Sequence, residues 1–227
     1  MLRRSIEAAL SGILFAALAG PVAAAVISIE PDSFATNTVL NNVVPGVTLS
    51  SVDGGSAVSG NITSVVASWG AASTGTNVFG GAFAGSGDQF GNGTWDYMLI
   101  DVSGLAGFVS LSLDFIATDA SDSNPLLAAY NAAGNLVTSS TVGGTFSTGQ
   151  FVTLSVSGAG ITRIAALGDP GALNIATFAG INNQAVGGND SWGLDNLVLN
   201  TVPEPGGLAL LMVGLAGIAL SRHARRR

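Results

Sequence analysis

Apolar and polar residues alternate most cleanly between positions 108 and 118. Val109, Leu111, Leu113 and Phe115 fall on one face, and Ser110, Ser112 and Asp114 on the other. A period of two belongs to a half-buried strand. Shorter runs of the same kind lie at residues 26–30, closed by Pro31-Asp32, and at 43–50, where Pro45-Gly46 supplies a turn. Others lie at 61–69, near 78–83 inside a glycine-rich stretch, and at 95–102, 126–130, 136–142, 151–156, 161–167 and 192–200. Clusters of Gly, Ser, Asn and Asp separate them. The pattern predicts an all-β fold, a single antiparallel β-sandwich of jelly-roll type. Three pairs are expected as hairpins: 95–102 with 108–118, 126–130 with 136–142, and 151–156 with 161–167 around Gly158-Ala159-Gly160.

The two chain ends follow a different pattern. Arg3 and Arg4 precede an apolar run over 6–19, interrupted only by Glu7, and then come Gly20-Pro21 and Ala23-Ala24-Ala25. This is the layout of a secretory signal peptide, residues 1–25, with Ala23 and Ala25 forming the cleavage site. At the other end, 206–220 carries no charge and four arginines lie within 221–227. As a helix the run reaches roughly 22 Å, short of about 30 Å of hydrocarbon. Pro203 and Pro205 hold the residues before it extended. The arginines favour the cytoplasmic side, so the domain ahead faces outward. Both ends are expected as helices flanking a domain over 26–201, the second suited to transient inner-membrane insertion and removal.

The order Val202-Pro203-Glu204-Pro205, apolar run, arginine cluster resembles the PEP-CTERM sorting signal of Gram-negative bacteria. The resemblance covers about the last 25 residues. It implies a protein exported through the secretion machinery, read by an exosortase at a motif comprising Pro203, Glu204 and Pro205, and delivered to the outer surface or extracellular matrix. Bearers of this signal often accompany extracellular polysaccharide, which becomes an expected partner.

Setting the two ends aside changes the charge. Between Val26 and Asn200 one basic residue, Arg163, stands against twelve acids, a net charge of −11 compared with −7 for the whole chain. Nucleic acid is excluded as a partner, because phosphate binding needs basic side chains. A cation such as calcium is the natural counter-ion for so many carboxylates. The same segment has no His, Cys or Lys, which removes catalytic triads, thiol nucleophiles, Schiff bases and ordinary zinc sites. The only enzymatic chemistry left is that of two carboxylates, as in glycoside hydrolysis. We therefore expect no enzyme, and carry a secreted glycan hydrolase and a purely structural adhesion module as alternatives.

Three stretches are similar to exported β-sandwich domains of the carbohydrate-binding-module type. They are Ser28-Ile29-Glu30-Pro31-Asp32, residues 109–116 with Asp119 and Asp122, and Trp192-Gly193-Leu194-Asp195-Asn196-Leu197. The similarity implies a structural calcium shared by Glu30 and Asp195, with Asp32 as a further ligand. Solvated or hydrogen-bonded carboxylates at strand ends are the competing expectation, and Asp119 and Asp122 are expected mainly as turn formers. Trp69, Trp95, Trp192, Tyr97 and Tyr130 could stack on sugar, but aromatics more often fill the core.

Overall fold

A computed structural model describes residues 24–52, 62–67, 72–83, 86–88, 90, 97–120, 122–169, 174–182 and 192–202. The chain divides into two units, Val26–Thr201 and one made of Met1–Ala25 with Val202–Arg227. Of the second only Ala24, Ala25 and Val202 are described, so the expected signal and sorting helices lie outside the described residues. Both sheets and every apolar cluster below lie within the first unit, except that the first strand begins at Ala25.

Twelve strands are described: β1 (Ala25–Ile29), β2 (Thr48–Val52), β3 (Ile62–Ala67), β4 (Asn77–Phe83), β5 (Ser86–Asp88) and β6 (Tyr97–Asp101), then β7 (Phe108–Ala117), β8 (Leu126–Asn131), β9 (Leu136–Thr141), β10 (Phe151–Ser157), β11 (Ile161–Leu167) and β12 (Trp192–Thr201). One sheet runs β10-β7-β12-β4-β3, with β1 beside β12 and β5 beside β4. The other runs β2-β6-β11-β8-β9. The registers are antiparallel, and the two sheets form the sandwich the alternation predicts.

Alternation decides what faces the interior. From β7 come Leu111, Leu113 and Phe115, and from the opposite sheet Met98, Ile100, Leu127, Ala129, Ile164 and Ala166. The intervening residues Tyr97, Leu126, Ala128, Tyr130, Ala165 and Leu167 are buried as well, against Ile175, Phe178 and Ile181. The last two of these belong to α1 (Phe178–Asn182), a single short helix. With both faces of the second sheet covered, Leu126–Tyr130 reads as an unbroken apolar run and not as an alternating one. Tyr130 tolerates this because its hydroxyl donates to the Ile175 carbonyl at 3.0 Å.

β8 and β9 form the expected hairpin. The other two expected hairpins do not exist. β6 lies between β2 and β11, whereas β7 lies in the other sheet between β10 and β12. Likewise β10 pairs with β7, and β11 with β6 and β8. In both cases the connection arches from one sheet to the other. Alternation fixes which face of a strand is buried but leaves its partner open, and two strands facing one core from opposite sheets carry the same pattern. The arch after β6 is held by loop contact: a Cβ on Gly46, at φ +83°, would stand 2.5 Å from the Gly104 carbonyl oxygen.

Candidate functional site

β12 carries the residue on which the site is built. Trp192 and Leu194 face the core, and so do Leu197 and Leu199, although an unbroken strand would turn odd and even positions to opposite faces. A register shift between Asp195 and Val198 accounts for this, with Asn196 at φ +48°. Such a bulge re-aims side chains. Asp195 is fully buried. Its Oδ2 accepts from the Ser73 N–H and the Thr74 N–H, both at 3.0 Å, and from the Ser73 and Thr74 hydroxyls at 3.0 and 3.3 Å. Its Oδ1 accepts from the Asn196 N–H at 2.8 Å.

The same loop serves a second carboxylate. Asp32 Oδ1 accepts from the Thr76 N–H at 3.0 Å and from the Asn77 N–H at 3.2 Å. Gly75 lies between the two halves at φ +52°, and a Cβ there would come within 2.2 Å of the Asp32 carboxyl carbon. Only glycine combines that backbone conformation with that approach. Thus Ser73–Asn77 is a nest of N–H groups wrapped on two acids.

Glu30 completes the arrangement from the end of β1. Its carboxyl accepts from the Asp32 N–H at 3.5 Å and interacts electrostatically with the side chains of Thr74 and Asp195. Burial raises the Glu30 carboxyl above the usual range, the Asp195 carboxylate adds to this, and the bonds from Thr74 and Asp32 oppose it. Two neighbouring carboxylates repel, and a cation between them would relieve that repulsion. The donor set is all hard oxygen, which suits calcium and not zinc. Four donors already occupy Asp195 Oδ2, so a cation would be met by Oδ1 and by Glu30. Asp32 is committed to the loop backbone. Among the described residues no three acids, histidines or cysteines stand together as a metal site.

The other expected residues fall as follows. Asp122 Oδ2 accepts from the Thr118 and Asp119 N–H groups at 2.6 and 3.2 Å, a turn-forming role. Trp192, Tyr97 and Tyr130 are core residues, while Trp69 and Trp95 lie outside the described residues. Pro203, Glu204, Pro205 and Ala23 also lie outside them, and Ala25 opens β1. Two clefts, of about 420 and 490 Å³, are lined by residues such as Arg163, Phe178 and Asn135, and Phe146, Gln150 and Phe151, with no acid in either. Sequence reasoning missed Asp114, which is buried on β7 and accepts from the Thr153 hydroxyl at 2.5 Å and the Asn196 amide at 3.2 Å. It also missed the 73–77 loop. Neither carried a local signal: Asp114 stands between Leu113 and Phe115, and no acid lies in or beside the loop.

Fold and site together define an antiparallel β-sandwich whose first and last strands bring two carboxyls, Glu30 and Asp195, near enough to interact. Residues 201–227 match the PEP-CTERM protein-sorting motif, which implies an exported cell-surface protein processed by an exosortase. The match begins at the last residue of β12. No curated protein matches the chain. Among solved structures it is similar to the K2 cleaved adhesin domain of Lys-gingipain, with 13% identity over 77% of this chain and 99% of that one, at a TM-score of 0.39. It is also similar to a family 11 carbohydrate-binding module from Clostridium thermocellum in complex with a mixed-linked tetrasaccharide, with 12% identity over 82% and 93%, at a TM-score of 0.26. Likenesses of this degree say nothing about activity. Among the described residues no helix is long and apolar enough to cross a membrane.

Proposed function

We propose that the chain is an exosortase substrate delivered to the outer surface or extracellular matrix of a Gram-negative bacterium, where its β-sandwich acts without catalysis. The observation that carries this reading is the sorting motif over 201–227, abutting β12 with no intervening linker. Processing at Pro203, Glu204 and Pro205 leaves every described strand intact. In this reading the signal peptide ends at Ala25, and the terminal run enters the inner membrane only until the exosortase acts. The Glu30–Asp195 pair holds a structural calcium that relieves its repulsion at neutral pH. Extracellular polysaccharide is the expected neighbour of the exposed surface.

The hydrolase alternative is less well supported. A retaining glycosidase holds its two carboxyls about 5 Å apart across a cleft, and an inverting one holds them further apart. Asp195 is fully buried, with its Oδ2 taken by four donors of the 73–77 loop, and neither cleft is lined by an acid. Deleting 202–227 in the native host tests the proposal: the truncated protein should leave the cell-surface fraction. Surface retention equal to that of the full chain would refute it. Polysaccharide association is tested by glycan-array binding of the Val26–Thr201 domain, where a blank array would favour the structural module.

A further inference from the structure

Among the described residues the main paths of the two sheets end on four strands, β3, β10, β2 and β9, and three of these ends are protected. Leu40 donates its N–H to the Thr63 carbonyl on β3, Thr63 donates back to Asn41 Oδ1, and Leu49 on β2 donates to the Asn41 carbonyl. One crossing segment therefore caps both edges on that flank. On the other flank β9 has a register shift opposite Ala129 and Tyr130, and its Leu136 N–H is taken by the Ala176 carbonyl. Bulges and covering segments are the usual defences of an exposed edge.

Among the described residues β10 has none of them. It pairs with β7 through seven consecutive registers, Phe151 with Ile116 to Ser157 with Ser110, without a shift. Gln150 accepts from Ala117 before the strand, and Gly158 donates to Val109 after it. The even-numbered residues between them therefore turn their backbone groups to β7. Phe151, Thr153, Ser155 and Ser157 turn theirs outward, where no partner strand stands among the described residues. The edge also lacks the usual charge and proline. No Asp, Glu, Lys, Arg or His occurs between Asp122 and Arg163, and no proline between Pro125 and Pro170. The nearest acid, Asp114, is buried and bonded to Thr153.

We propose that β10 is a pairing edge for β10 of a second copy of this chain, joining two sheets into one across a two-fold axis at Leu154. The choice of occupant follows from register and charge. An antiparallel self-pair centred on Leu154 sets Thr153 against Ser155 and Phe151 against Ser157, so the outward backbone groups meet each other. It sets Val152 against Val156 on the core side, apolar against apolar, and on the outer side Thr153 against Ser155, hydroxyl against hydroxyl, with Phe151 covering Ser157 at each end. Elsewhere two domains of charge −11 repel, and this flank is where they can approach without bringing acids together. The contact is isologous and closes on itself, so it gives a dimer and not a fibre.

The test is sedimentation equilibrium on the Val26–Thr201 domain, whose core and sheets lie inside it. Wild type should reach the dimer mass as concentration rises. Ser155→Lys places like charges across the new pair, and Ser155→Pro removes an outward N–H without touching the β7 ladder. Each should halve the mass at concentrations where wild type is dimeric. Ser139→Lys, on the exposed face of β9, should leave the dimer intact. Should the proline variant fail to fold, the lysine variant decides, because it keeps the backbone. A wild-type domain that stays monomeric, or a dimer that survives Ser155→Lys or is broken by Ser139→Lys, would overturn the assignment.

Discussion

Replacing Asp195 with alanine leaves five donors without their acceptor: the Ser73 and Thr74 N–H groups and hydroxyls, and the Asn196 N–H. The hydroxyls can rotate towards water, so the loss falls on the N–H groups. A hydrogen bond to a charged acceptor contributes about 1.5–3 kcal/mol net. The two loop N–H bonds alone would therefore be worth about 3–6 kcal/mol. Thr74 is exposed and Ser73 half-buried, so the freed loop can swing out and recover part of this. Relief of repulsion on Glu30 recovers a little more. A loss of about 2–4 kcal/mol remains, out of a typical total of 5–15 kcal/mol. For a domain of this size, that is a fall in Tm of about 4–16 °C. The assay is thermal unfolding of the Val26–Thr201 domain followed by circular dichroism, with metal removed. A fall smaller than about 2 °C would mean that the 73–77 loop is held by something other than Asp195, and the site as described would be wrong.

Glu30→Gln tests the carboxyl pair. Because burial raises the folded Glu30 carboxyl, its contribution is complete below the unfolded pKa and is lost as pH rises through the folded one. In chelator the variant should therefore gain Tm at neutral pH and change little in acid, and a loss at neutral pH would contradict the repulsion argument. Added calcium should raise the Tm of wild type at neutral pH but leave Glu30→Gln much less affected; a wild-type curve indifferent to calcium and chelator would end the calcium proposal. Gly75→Ala forces a left-handed alanine against Asp32, at about 1–2 kcal/mol for the backbone alone, and should lower Tm by several degrees. Asp32→Ala in the same chain should return part of that loss by vacating the space, and strictly additive losses would refute the close approach.

The sandwich was legible because alternation is a property of single strands. Leu111, Leu113 and Phe115 announce one buried face whatever lies beside them, whereas Val109, expected with them, is 41% exposed near the start of β7. Partners were not legible, since β6 and β7 present the same pattern to one core from opposite sheets. The bulge in β12 left a trace: Leu194 and Leu197, three apart in a strand, cannot share a face without an extra residue between them. The pairing of Glu30 with Asp195 was reached through resemblance, with nothing in their spacing to require it. Ser73-Thr74-Gly75-Thr76-Asn77 is a polar loop in sequence, and its role depends on acids over forty residues upstream and well over a hundred downstream. Long-range backbone-to-carboxylate bonds of this kind have no local signature.

The central claim is that both ends of the chain are addresses and that the acidic sandwich is the delivered product. Intact-mass analysis of the protein recovered from the cell surface or medium of its host tests this most directly. The account predicts a species that begins at Val26 and lacks the apolar run and arginines after Pro205, with the C-terminal portion retained when the exosortase is absent. A surface species that still carries residues 206–227 while the exosortase is active would contradict it.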